Sequence, residues 1–207
     1  RDFVKTASAV TAAVTLPAWA ITENRSPIKI GFIGCGGRGT GAANQALQAN
    51  DSAVIWAMGD AFEDRLTSSM NTLIGEKGDR AEVPKDRQFV GFDAYQKVID
   101  SGVDMVILTT PPHFRPEHIA AAVKAKIHVF CEKPMAVDGT GVRSVIESTK
   151  LAKENDTNLV GGFCWRYNLP LRAAYKQIHD GAIGDVRSIF ATYYTSPLWT
   201  KPRQESW

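Results

Sequence analysis

From Ile28 onward, short apolar runs alternate with longer stretches in which apolar residues recur every three or four positions. The runs at 28–33 (IKIGFI), 53–59 (AVIWAMG), 103–109 (VDMVILT), 127–131 (IHVFC) and 158–163 (NLVGGF) are apolar almost throughout. That is the pattern of strands buried on both faces. Helical spacing predicts helices over 38–49, 61–74, 93–100, 116–125 and 138–154, with a charged loop, GEKGDRAEVPKDR, and a small element at Phe89 and Val90 between the second and third. Strands alternating with helices in this way predict a doubly wound parallel sheet of the α/β class.

After Asn168 the pattern changes. A helix to about His179 and a turn over 181–184 lead into DVRSIFATYYTS, whose polar and apolar residues alternate as in an antiparallel strand. The expectation is a nucleotide-binding domain over 28–165 and, over 166–207, the truncated start of an α+β second domain.

Ahead of the first strand the chain opens RDFVKTASAVTAAVTLPAWA: basic residues, a small apolar run broken by Pro17, then Ala18-Trp19-Ala20 as a cleavage site. This is the layout of an export signal over 1–20, followed by a polar linker over 21–27. The apolar run is too short and too rich in threonine for a membrane span, which needs about 20 apolar residues. Arg1-Asp2-Phe3-Val4-Lys5 resembles the tail of a twin-arginine signal, so a second arginine is expected upstream and the protein is expected in the periplasm or otherwise exported.

Composition narrows the chemistry. With 207 residues, 44% hydrophobic, and a net charge of +2, the chain can bury a core and shows no single-signed field of the kind that binds nucleic acid. The three cysteines, Cys35, Cys131 and Cys164, have no zinc-ligand spacing and read as small buried apolar residues. His113, His118, His128 and His179 likewise have no metal-binding spacing, so no metal is expected.

The candidate chemistry lies where the first strand meets the first helix. Gly34-x-Gly36-x-x-Gly39 has a strand before it and a helix after it. There a first glycine makes a tight turn, a second lets the backbone approach a pyrophosphate, and a third lets helix pack closely on strand. The helix start at Gly37 and Arg38 presents unpaired N–H groups and the positive end of the dipole to phosphates. A triphosphate loop would need Gly-Lys-Ser/Thr at its end, whereas Gly39 is followed by Thr40-Gly41. Asp60 closes the second strand, placed to accept from both hydroxyls of an adenine ribose and to repel a 2′-phosphate, which favours NAD. It is also a candidate N-cap for the next helix. Arg38 and Arg65 could neutralise a phosphate, which keeps NADP open.

At the ends of later strands stand TTPPHFRPEH (109–118) and CEKPMA (131–136). Together with the glycine motif, these segments resemble the Gfo/Idh/MocA oxidoreductases, over about residues 28–195. The resemblance implies a Rossmann domain in which Thr110, Pro111 and Pro112 wall the nicotinamide ribose and Glu132 lines the cofactor site. It implies that Lys133 contacts substrate and nicotinamide and is the catalytic residue of this segment. It also places Arg166 and Tyr167, in GGFCWRYN (161–168), near the substrate. Independently of the family, an ammonium at Lys133 beyond the carboxyl ends of the strands could donate to an alcohol or ketone oxygen. His113 and His118 stay outside the catalytic set.

The activity so implied is NAD(P)-dependent oxidation of a sugar or polyol secondary alcohol, and export to a compartment poor in free NAD implies a tightly held cofactor. Two other readings stay open: glycoside cleavage through transient oxidation and elimination, and a non-catalytic nucleotide-binding module. The family carries its acid/base histidine in Asp-x-x-x-His on the second domain, and no aspartate here has a histidine four positions on. This chain is therefore expected to be incomplete for catalysis. Homo-oligomers in the family form through the second domain's sheet, and an unpaired strand at 186–195 would be prone to association.

Overall fold

A computed structural model of the protein describes residues 26–196. The segment 1–20 expected as an export signal, most of the expected linker and residues 197–207 lie outside the described residues. The chain divides into two compact units, Arg1–Phe163 and Cys164–Trp207.

The first unit is built on six strands: β1 (Ile28–Ile33), β2 (Ala53–Asp60), β3 (Gln88–Val90), β4 (Met105–Leu108), β5 (His128–Cys131) and β6 (Leu159–Gly161). All five pairings are parallel and the order is β3-β2-β1-β4-β5-β6. The chain thus winds outward in one direction from β1 and then, starting from β4 beside β1, in the other. The crevice between β1 and β4 is the switch point at which open α/β sheets bind ligands.

Five helices make the crossovers: α1 (Gly37–Ala49), α2 (Glu63–Lys77), α3 (Ala94–Asp100), α4 (Arg115–Lys124) and α5 (Gly139–Glu154). Because successive strand residues point to opposite faces, the sheet separates two cores. Ile30 and Phe32 of β1 and Ile107 of β4 pack in one, with Leu47 of α1 and Leu66 and Leu73 of α2. Ile33, Val106 and Leu108 pack in the other, with Val98 of α3, Ile119 of α4 and Val145 of α5. Phe32 and Leu108 are completely buried. Each such side chain contributes about 1.5–3 kcal/mol, so a polar residue at Phe32 would break the floor under the glycine turn.

Four sequence expectations change in detail. The strand expected over 103–109 is confined to Met105–Leu108, and that over 158–163 to Leu159–Gly161. The charged loop contains two short 3₁₀ turns, Gly78–Ala81 and Lys85–Arg87. Helix α2 begins at Glu63 with Phe62 as its N-cap, so Asp60 is not the cap. Its carboxylate instead accepts from the N–H of Phe62 at 2.9 Å, a local turn that ends the strand and delays the helix.

The second unit holds a 3₁₀ turn, Cys164–Tyr167, and helix α6 (Leu169–His179), whose N-cap Asn168 accepts from the N–H of Leu171 at 3.0 Å. The strand expected in 185–196 is not formed. Ile189 and Phe190 are 85% and 93% exposed, and no strand among the described residues offers that segment a ladder. Alternation marks which face a strand would bury, but the strand exists only once its backbone groups are paired. Cys164 is exposed in the 3₁₀ turn, contrary to the buried role expected of all three cysteines. Cys35 and Cys131 are buried.

Candidate functional site

The glycine turn is shaped by contacts that exclude side chains on its inner side. Gly34 has φ +95°, and a Cβ there would lie 2.5 Å from the backbone nitrogen of Thr110. A Cβ on Gly39 would overlap the carbonyl oxygen of Gly34 and come within 2.5 Å of Thr109 Oγ1. The first helical turn is thereby pressed against the end of β4. On the outer side the situation reverses. A Cβ on Gly36 or Gly37 would meet nothing within 4 Å. Gly36 is the N-cap of α1, no side chain caps that end, and no acidic residue stands in the first turn. Bare backbone at a dipole-positive helix start, open on one side, fits a diphosphate.

Side chains hold this turn from below. Thr109 Oγ1 donates to the carbonyl of Gly34 at 2.6 Å, and the Gly34 N–H donates to the carbonyl of Gly59 at 2.9 Å. Asp60 Oδ2 accepts from the N–H of Cys35 at 2.6 Å, so the carboxylate ties the end of β2 to the turn. Each Asp60 oxygen retains a second lone pair that a ribose hydroxyl could use. Cys35 beneath it is no nucleophile: burial first, and the Asp60 charge second, push its thiol far up. A groove of about 390 Å³ between α1 and α2 is lined by Gly37, Thr40, Asn44, Arg65 and Ser69, among others, so Arg65 stands beside the turn.

Across the switch point lie the loops after β4 and β5. Glu132 is buried and pairs with Arg38, whose Nε stands 2.8 Å from Glu132 Oε1. Glu132 Oε2 accepts from the N–H of Lys133 at 3.2 Å. Arg38 therefore spans from the helix start to the Glu132 loop. Lys133 is exposed, its peptide bond to Pro134 is cis, and among the described residues its ammonium makes no hydrogen bond or ion pair. Pro111 is exposed, while Thr110 and Pro112 are half-buried. The structure thus brings Gly34, Gly36, Gly37, Arg38, Gly39, Asp60, Thr110, Pro111, Pro112, Glu132 and Lys133 to one edge of one sheet. Arg166 and Tyr167 belong to the second unit, in its 3₁₀ turn.

The chain belongs to the Gfo/Idh/MocA oxidoreductase family. Residues 28–163 match that family, an oxidoreductase family with an NAD-binding Rossmann fold. A relative in Thermotoga maritima, myo-inositol 2-dehydrogenase, is 32% identical over 157 residues, which are 76% of this chain and 42% of the relative. The chain thus spans less than half the length of that curated relative. A probable dehydrogenase of the same organism superposes with a TM-score of 0.58 at 28% identity, covering 75% of this chain and 42% of that one. Scyllo-inositol dehydrogenase of Lactobacillus casei, solved with NAD(H) and scyllo-inositol, superposes with a TM-score of 0.62 over 77% of this chain and 43% of that one. At 24% identity that last likeness speaks for the fold alone. The dinucleotide suited to this family turn is NAD(P).

Three residues with a hand in the site escaped the sequence reading of roles. Thr109, next to the expected Thr110, bonds through Oγ1 to the carbonyls of Ile33 and Gly34. His118 packs at 4.1 Å on the ring of Tyr95 with its Nδ1 3.4 Å from Thr110 Oγ1. Burial lowers its pKa to about 4, so the ring is neutral near neutral pH. The third is Arg115, which is buried. It falls one residue before the helix expected over 116–125; in the structure it opens α4, and 115, 118, 119, 122 and 123 share one buried face. Cys131 nearby is pushed up to about 12 by burial and is a packing residue.

Proposed function

We propose that the complete protein is an NAD(P)-dependent oxidoreductase that oxidises a secondary alcohol of a sugar or polyol. The observation that carries this reading is the open backbone at Gly36 and Gly37, beside the β1/β4 switch point, with Lys133 at the same end of the sheet. The family match and the inositol dehydrogenase likeness support the substrate class.

When bound, NAD(P) supplies the hydride acceptor. The residues of this chain do the rest by position. N–H groups of the α1 start receive the diphosphate, and Asp60 receives ribose hydroxyls while keeping the turn fixed through Cys35. Thr110, Pro111 and Pro112 form the wall beside the nicotinamide. The Lys133 ammonium would donate to the substrate oxygen and hold the charge that develops there as a base takes the hydroxyl proton. His118 is buried and neutral, which suits it to hold Thr110 rather than to take that proton. In this reading Arg166 and Tyr167 are substrate contacts of the complete protein, and the segment 1–20, read as an export signal, takes it out of the cytoplasm. A cofactor held through many turnovers follows from that location.

The test is turnover by the full-length protein on a panel of inositols and aldoses with NAD or NADP, reading reduced nicotinamide by absorbance. Oxidation of at least one polyol, lost in K133M, is the expected result. Binding of the dinucleotide with no turnover on any alcohol would favour a nucleotide-binding module. Release of an aglycone from a glycoside without net reduction would favour the elimination route. Fractionation of cells producing the tagged protein tests the export signal.

A further inference from the structure

Arg115 stands at the first position of α4, where a guanidinium would ordinarily reach into water. Here it is only 6% exposed. Its Nε donates to the carbonyl of Thr110 at 2.7 Å, and its Nη1 donates to the carbonyls of Glu132 at 2.7 Å and Pro134 at 2.5 Å. Burial lowers its pKa from the ordinary arginine value, with Cys131 and Glu132 opposing. An arginine placed so is costly unless its donors find acceptors, and these carbonyls take three of its five N–H groups, those on Nε and Nη1.

The identity of those carbonyls matters. Two belong to the residues on either side of Lys133, and the third belongs to the loop after β4. The Lys133 side chain has no hydrogen-bonding partner of its own among the described residues, so its backbone alone decides where the ammonium begins. Arg38 adds a second tether through the Glu132 carboxylate, but from a half-exposed side chain on the opposite rim. Arg115 joins the two loops of this rim to each other. A lysine at this position would keep the charge but lose the planar fork that reaches both loops at once.

We propose that Arg115 is a positioning residue for the reaction: by binding the carbonyls on both sides of Lys133 and that of Thr110, it sets the ammonium against the cofactor wall. The inference deepens the functional reading above and rests on it. Arg115 touches neither reacting atom; it acts through Lys133.

The test uses the full-length protein with R115K, R115Q, K133M and the R115K/K133M double variant, titrated with NADH and, separately, with ADP-ribose, which lacks the nicotinamide. R115K is expected to weaken NADH binding about tenfold while ADP-ribose binding changes less than about twofold, and its effect is expected to vanish in the K133M background. A general loosening of the fold would weaken both ligands equally and persist without Lys133; either result overturns the proposal. NADH binding by the wild type with R115K indistinguishable from it overturns the positioning role alone, whereas a wild type that ignores NADH overturns the functional reading as well. Should both Arg115 variants fail to fold, amide exchange of the wild type decides. Peptides over 109–114 and 131–136 opening at one common rate support the clamp, and independent opening overturns it.

Discussion

The two rims of the crevice between β1 and β4 lie at the same edge of the same sheet and are built by opposite means. On the glycine rim the surface is main chain: Gly36 and Gly37 leave open space, and side chains support it from beneath, among them Thr109 and Asp60. On the other rim the loops after β4 and β5 are held by long charged side chains, the buried Arg115 and the Arg38–Glu132 pair. The difference follows from what each rim meets. A diphosphate is bound by N–H groups that must be approached closely, and any Cβ would stand in the way. An ammonium that must stabilise developing charge needs a fixed origin, because a misplacement of about 1 Å can cost about a hundredfold in rate. One rim is therefore kept bare and the other is clamped.

The largest effect should come from adding bulk beneath the bare rim. In G39V the new side chain overlaps the Gly34 carbonyl and crowds Thr109, so the turn must move. Loss of cofactor binding beyond a hundredfold, with a fall in stability of about 3 kcal/mol or more in a denaturant titration, is expected. If G39V melts like the wild type, the inner packing of that rim is not what shapes it.

Next comes the buried ring behind the clamped rim. His118 has its pKa depressed by burial from 6.5 to about 4. Its folded form prefers the neutral ring, so its contribution is full above about 6.5 and is lost as pH falls through about 4. The loss should amount to about 3 kcal/mol at most, seen as a falling melting temperature over that window. H118Q should flatten the fall, and an unchanged slope in H118Q would assign it to other groups.

Smaller still is the pair that joins the rims. Arg38 is 55% exposed and Glu132 8%, so the two ends are unequal. R38M strands a buried carboxylate and should cost about 2 kcal/mol, while E132Q leaves a cation that can turn to water and should cost about 1. Equal costs in chemical denaturation would mean that the pair is not anchored at Glu132. The smallest effect is expected at the exposed pair of Lys97 and Asp93, where K97A should give no resolvable change in melting.

The two rims also differ in how far they could be read from sequence. The bare rim was legible because its demands are local. A glycine pattern between an apolar strand and a helix specifies a backbone shape, and Asp60 follows at the end of the next strand. The clamped rim was legible only as the loops that carry Lys133 and Thr110. The residue that joins them, Arg115, bonds to carbonyls at 110, 132 and 134, and a carbonyl leaves no trace in residue identity. The helix expected over 116–125 leaves Arg115 out, so neither its place on the buried face of α4 nor its partners could be read. The same limit explains residues 185–196, where alternation is a property of the segment but a strand is a property of a pair. Cys164 shows it at the scale of one side chain, since small and apolar does not mean enclosed.

The central claim is that main-chain amides at the start of α1 receive the diphosphate, and G36V tests it most directly. Gly36 has φ −75° and ψ 178°, a conformation open to any residue, and nothing stands where its Cβ would go. The variant should therefore fold with the stability of the wild type while its affinity for NADH, measured by equilibrium titration, falls by about thirtyfold or more. Wild-type affinity in a fully folded G36V would contradict the account.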